Sequence, residues 1–207
     1  MRQRRLSLLD RLITETDAVM RTITNRGHSA GRHSPSEGHG EGEMSELERQ
    51  HVAGLMRVNH TGEVCAQALY QGQALTARLP KVRQELRQAA DEELDHLVWC
   101  EERLRELGSH TSYLNPAWYG MSFALGALAG AEGDDVSLGF VAATEERVCN
   151  HLRDHLNQLP EDEHKSRLIL QQMLDDEERH GPKALEAGGE DCPRPVQDAM
   201  SAVSRVM

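Results

Sequence analysis

The sequence predicts an all-α protein: a four-helix bundle with an apolar crossover helix and a flexible, basic N-terminal extension. Three observations carry that prediction. Four long segments repeat apolar residues three and four positions apart, the spacing that lays a stripe along one helix face. Aromatic residues make up only 3% of the 207 residues and charged ones 28%, a balance that leans towards helix. In each of the four segments a carboxylate also occupies the stripe, where an apolar side chain belongs.

Residues 1–45 form the extension. Within residues 6–23, Leu6, Leu9, Leu12, Ile13, Val19, Met20 and Ile23 recur at helical spacing with Arg and Asp between them. Such an amphipathic helix suits packing on protein or lying on a membrane surface. Residues 25–45 are Gly, Ser, His, Pro and Glu, the composition of a disordered linker, and His28, His33 and His39 read as incidental to it. The bundle, residues 46–190, opens with the capping box Ser45-Glu46-Leu47-Glu48. Its first helix runs to about Leu79, where Pro80 stops it, and its second from about Lys81 to Leu107, with Gly108 as C-cap. Asn115-Pro116 restarts the chain into Ala117–Ala131, an almost uncharged run rich in Gly and Ala. Gly133-Asp134-Asp135 breaks that run, and the third bundle helix follows to Leu159. Pro160 starts the fourth, which ends near Gly188-Gly189. Residues 191–207 carry Pro193 and Pro195 and then a short amphipathic helix.

The totals exclude several classes of function. Net charge is −11, unevenly spread: residues 1–26 hold six Arg against Asp10, Glu15 and Asp17, about +3, which leaves about −14 on the rest. An acidic body argues against nucleic acid, because phosphate binding needs Lys and Arg to displace counterions. Cys65, Cys100, Cys149 and Cys192 are scattered without a C-x-x-C, which fits a reducing compartment and no zinc knuckle. No segment reaches the roughly 18 uninterrupted apolar residues of a membrane span. The start of the chain has no continuous apolar run, so it does not read as a secretory signal.

The carboxylates in the stripes carry the chemistry. The first helix reads Val52, Met56, Asn59, Glu63, Ala66, Tyr70, Ala74; the second Val82, Leu86, Ala89, Glu93, His96, Cys100, Leu104, Leu107. The third reads Val141, Glu145, Val148, Leu152, Leu156, Leu159, and the fourth Leu170, Met173, Glu177, His180, Ala184. Glu92, Glu146 and Glu178 fall off the stripes and read as solvated. The order is Glu, E-x-x-H, Glu, E-x-x-H, with gaps of 30 residues from Glu63 to Glu93 and 32 from Glu145 to Glu177, a pseudo-repeat of two helix pairs. An unpaired buried carboxylate costs several kcal/mol or drives its own protonation. Two divalent metals remove that cost, and E-x-x-H places both side chains on one face, able to share an ion. The oxygen-rich set with nitrogen suits iron or manganese better than structural zinc. His151, six residues after Glu145, is the candidate for a substrate or proton-transfer role. Asp95 and Asp175 are candidates to orient a ligand imidazole, and Cys100 and Cys149 read as small core fillers.

These residues resemble the Coq7 (Cat5) family of demethoxyubiquinol hydroxylases in ubiquinone biosynthesis. The resemblance rests on Arg57-Val58-Asn59-His60-Thr61-Gly62-Glu63 running on to Tyr70-Gln71-Gly72-Gln73, on Glu93-Leu94-Asp95-His96, on Phe123-Ala124-Leu125-Gly126, on Glu145 with His151, and on Glu177 with His180. It covers about residues 48–188. It implies a ferritin-like fold and a di-iron centre of two iron ions held by Glu63, Glu93, His96, Glu145, Glu177 and His180, with Glu93 and Glu177 bridging. It implies an O2-dependent monooxygenase that hydroxylates the ring of a polyprenyl demethoxy-quinol and releases the second oxygen atom as water. Two electrons must then come from a donor; no G-x-G-x-x-G follows a strand, so no nucleotide domain is built in, and NADH is a candidate reductant. Where animal members place Tyr after the matching His, this chain has Leu152.

For such a substrate, residues 116–131 acquire a purpose: too short to span, they are long enough to lie in the interface, which predicts peripheral association with the cytoplasmic side of the cell membrane. A second copy of the chain or other quinone-biosynthesis proteins are candidate partners. The rival readings are a ferritin-like iron store or peroxide scavenger, a metal-free helical scaffold, and a tRNA-hydroxylating di-iron enzyme, the last disfavoured by the acidic body.

Overall fold

The computed structural model describes residues 31–190, so the amphipathic stripe at 6–23, His28 and the short helix expected within 191–207 lie outside the described residues. Five α-helices and no strand occur among the described residues: α1 Glu46–Thr76, α2 Pro80–Glu106, α3 Asn115–Glu132, α4 Asp134–Gln158 and α5 His164–Glu186. Helices α1 and α2 form one antiparallel hairpin and α4 and α5 another. The hairpins face each other, α2 opposite α5 and α1 opposite α4, while α3 crosses between them and packs mainly on α1.

The capping box forms as expected. The Ser45 hydroxyl accepts from the Glu48 N–H, and the Glu48 carboxylate accepts from the Ser45 N–H at 2.8 Å. Two other boundaries differ from expectation. α1 ends at Thr76, and Pro80 opens α2 instead of stopping α1, because its missing N–H costs nothing in the first turn of a helix. The exposed N–H groups of Arg78 and Leu79 between them are satisfied by the carboxylate of Asp134, at 2.9 and 2.7 Å. α5 starts at His164, not Pro160. The buried Glu163 is its N-cap, accepting from the Ser166 N–H, while residues 160–163 form a turn.

Helix α3 approaches α1 through small residues. A Cβ on Gly126 would stand 2.1 Å from the Leu69 carbonyl oxygen, and one on Gly72 would stand 2.2 Å from that of Phe123. Ser122, Gly126 and Gly130 face α1 and are buried, which leaves Met121, Leu125 and Leu128 on the exposed side.

Two apolar clusters flank the middle of the bundle. Val52, Met56, Trp99, Leu104, Leu152, Ile169 and Met173 lie at one end; Tyr70, Val82, Leu86, Leu138, Val141 and Ala184 lie at the other. The stripe carboxylates occupy the level between them. Each buried Leu, Ile, Val or Met side chain contributes about 1.5–3 kcal/mol, enough collectively to hold an acidic centre.

The segment before α1 departs from the linker reading over its described part. Residues 31–44 contain no helix but have specific partners on the bundle. Gly31 N–H and Arg32 donate to Asp95, the Trp99 indole donates to the Arg32 carbonyl, Ser36 is buried, and Glu41 pairs with Arg103. Polar and glycine-rich composition predicts disorder only when nothing buries or pairs the segment. Here Asp95, Trp99 and Arg103 do both.

Candidate metal centre

Helical spacing brings all six stripe residues to one level of the bundle, and the facing hairpins make them converge. Two groups of ligand atoms form. Glu63, Glu93, His96 and Glu177 make one; Glu93, Glu145, Glu177 and His180 make the other. Glu93 and Glu177 belong to both, the arrangement of bridging carboxylates. The His96 Nδ1 is 3.0 Å from Glu93, 3.2 Å from Glu177 and 3.8 Å from Glu63. The His180 Nδ1 is 3.1 Å from Glu177 and 3.2 Å from Glu93. Ligand atoms about 2 Å from a common ion stand roughly 3 Å from one another, so this spacing suits a shared cation.

Electrostatics give the same reading. Burial, aided by the Glu93 charge, outweighs the His96 hydrogen bond and pushes the Glu63 carboxyl up to about 8. Burial and the Glu177 charge raise Glu145 well above the carboxylate range. Burial alone would lower His180, but its bonds to Glu177 and Glu93 prevail and push it up to about 10. His96 is raised in the same way, its bonds to Asp176, Glu177, Glu63 and Glu93 overcoming burial. Glu177 is held well below its ordinary value because bonds to His180 and His96 outweigh burial. Without metal, the imidazoles must act as the cations of a site with too many acids. One oxygen each of Glu93 and Glu145 is buried without a hydrogen-bond partner, although His180 lies beside the Glu93 oxygen. Four carboxylates and two neutral imidazoles balance two divalent cations. The donor set fits the two-iron centre that the resemblance implies.

Each imidazole turns Nδ1 inward and Nε2 outward to an acid. His96 Nε2 donates to Asp176 and His180 Nε2 to Glu92, both at 3.0 Å. Both acceptors immediately precede a ligand Glu, and both lie on the hairpin opposite the imidazole they receive. Asp175, the candidate from sequence, is exposed and pairs with Gln171; Asp176 fills the role instead. Asp95 pairs with Gly31 and Arg32. Glu92 is half-buried and bonded, whereas Glu146 and Glu178 are exposed as expected. The signal for Asp176 and Glu92 was the acid before each E-x-x-H, seen in both repeats.

His151 belongs to neither ligand group. It is half-buried on α4, its ring 3.9 Å from that of His155, which bonds Asn59 on α1 at 3.1 Å. Cys100 and Cys149 are buried in the apolar cluster. His60, not singled out by the pattern, is buried between α1 and α3 with Nδ1 near the Asn115 amide and Nε2 unpartnered.

Comparison with known proteins gives one consistent result. The family described as "Ubiquinone biosynthesis protein COQ7" matches residues 50–207. A protein of Stutzerimonas stutzeri named 3-demethoxyubiquinol 3-hydroxylase is 61% identical, over 99% of this chain and 95% of its own length. Proteins of the same name from Pseudomonas syringae pv. syringae and from Pseudomonas savastanoi pv. phaseolicola are 60% and 58% identical over the same shares.

Proposed function

The chain belongs to the COQ7 family of ubiquinone biosynthesis proteins, and from that premise we propose that it is a 3-demethoxyubiquinol 3-hydroxylase with an O2-dependent di-iron centre. The observation that carries the metal half of this reading is the pair of ligand groups sharing Glu93 and Glu177 inside an apolar bundle. The names of the relatives carry the substrate half. Iron storage or peroxide scavenging would use the same ligands; nothing in the relatives' names favours it.

Two iron ions, when bound, supply the reduction of O2 that places one oxygen atom on the ring. The chain's own residues do the rest. Glu63, Glu93, His96 and Glu177 hold one position; Glu93, Glu145, Glu177 and His180 hold the other. Asp176 and Glu92 keep each Nε2–H directed outward, so that Nδ1 stays available. The flanking apolar clusters exclude water from the reacting level. We propose His151, outside both ligand groups, as the residue that handles a proton or hydrogen-bonds the substrate. Burial lowers its affinity for a proton, which keeps a neutral base available at pH 7.

A polyprenyl quinol lies in a bilayer, and the exposed side of α3, with Met121, Leu125, Leu128 and the preceding Leu114, is the surface by which the chain reaches it. No described helix is long and apolar enough to cross a membrane. Our proposal is therefore peripheral docking on the cytoplasmic face of the cell membrane, with NADH as the candidate electron source.

The test is anaerobic reconstitution with Fe(II) followed by quinone analysis. Two iron per chain are expected. A strain lacking its own hydroxylase, and given this chain, is expected to lose its accumulated demethoxy quinone. Glu145→Gln is expected to abolish that rescue. Iron uptake without rescue would support storage, and no iron uptake would leave only a scaffold.

A further inference from the structure

The two halves of the centre are supported unequally. Glu92, outside His180, has a 38% exposed side chain, and its other bond is to Gln88, one turn away. Asp176, outside His96, has a 4% exposed side chain and is held from three sides. Gln172 donates to it at 3.1 Å, Arg179 pairs with it, and Arg32 reaches it from outside the bundle. The Arg32 Nη1 stands 2.8 Å from Asp176 Oδ2, the same oxygen that accepts from His96 Nε2 at 3.0 Å.

Arg32 is itself held at several points. Its Nε donates to Asp95 at 2.7 Å and its guanidinium lies 4.8 Å from the centre of the Trp99 ring. Its carbonyl accepts from the Trp99 indole at 3.3 Å. One guanidinium thus joins Asp95, beside His96 on α2, to Asp176, beside Glu177 on α5. A planar fork with several donors can do this; a lysine point charge cannot engage both acids with fixed geometry. The family match begins at residue 50, so this support comes from chain that precedes it.

We infer that Arg32 is a positioning residue: by fixing Asp176 it orients His96 and makes the metal position of Glu63, Glu93, His96 and Glu177 the tighter of the two. This rests on the two-metal reading above. Outer partners of metal-bound histidine typically change affinity 10–100-fold.

The test is Co(II) titration of the metal-free full chain, followed by visible absorption. The wild type is expected to bind two ions in two resolved steps. Arg32→Ala is expected to weaken the tighter step at least tenfold, with a change in its absorption band, and to leave the weaker step within about twofold. Arg32→Lys keeps a cation between the two acids, which guards the fold, and is expected to fall between. Helical content by circular dichroism verifies folding of each variant. If the wild type binds two ions but Arg32→Ala and Arg32→Lys both titrate as it does, the inference is overturned alone. Two equal steps in the wild type would overturn it equally. A wild type that binds fewer than two ions overturns the two-metal reading itself.

Discussion

Glu63 and Glu145 each belong to one candidate ligand group only, and in the metal-free chain burial raises both carboxyls, that of Glu63 to about 8. Their carboxylate partners raise His96 and His180 as well, His180 to about 10. Metal uptake must therefore expel protons. Calorimetry at pH 7 in buffers of different ionisation enthalpy is expected to show net proton release, and affinity is expected to rise from pH 6 to pH 8. The sign for the empty protein is the reverse. A carboxyl raised to about 8 takes up protons on folding between its unfolded value near 4.5 and 8, so Glu63 contributes stability that is lost as pH rises through that window.

His60 acts oppositely. Burial lowers it from 6.5 to about 4, so its contribution is complete above 6.5 and is lost as pH falls towards 4. The whole difference corresponds to roughly 3 kcal/mol. His60→Gln is expected to lose about 2 kcal/mol less than wild type between pH 7 and pH 5 in urea denaturation. At this scale the convergence of the six stripe residues was legible, because a carboxylate in an apolar stripe is too costly to keep unless a cation meets it. Asp176 was marked only as the acid before E-x-x-H: one residue before Glu177 it sits about 100° off the stripe, and its partner His96 is on the opposite hairpin.

The seam between α1 and α3 depends on absent side chains. Gly126→Val is expected to push α3 off Leu69 and to destabilise the fold by at least 1–3 kcal/mol, seen as a lower Tm. Gly120, on the same helix, is exposed and has open space around its missing Cβ. Gly120→Ala is expected to stabilise by about 0.5–1 kcal/mol. The pair separates helix propensity from close packing in one element. Helix existence was legible from periodicity, and the ends were less so. Pro80 and Pro160 were both read as boundary marks, yet one opens a helix and the other begins a turn. The difference is decided by Asp134, whose partners Arg78 and Leu79 are distant in sequence, and by Glu163, which caps α5 through nearby Ser166 while pairing with distant Arg103.

For the molecule as a whole, the surface matters as much as the centre. The combined change Leu125→Asp and Leu128→Asp places two charges on the exposed face of α3, at residues that belong to neither candidate ligand group. It is expected to abolish co-sedimentation with lipid vesicles while iron per chain and Tm stay near wild type. Unchanged vesicle binding would overturn the proposed docking through α3. The layered arrangement, acid between two apolar clusters, followed from the stripes. The attachment of residues 31–44 did not, since polar residues with no period give no sign of what they will touch. Arg103, buried and shared by Glu41, Glu106 and Glu163, shows how that segment is secured: by charge pairing across about sixty residues.

Each hairpin lends the other what it lacks. Asp176 serves the histidine of α2, Glu92 serves the histidine of α5, and neither hairpin holds an outer acceptor for its own imidazole. The halves therefore relate to one another as protomers of a two-fold dimer do, each patch answering its counterpart. Severed within the 107–114 turn that precedes α3, and produced as separate pieces, they would have to find each other again before either could seat an ion.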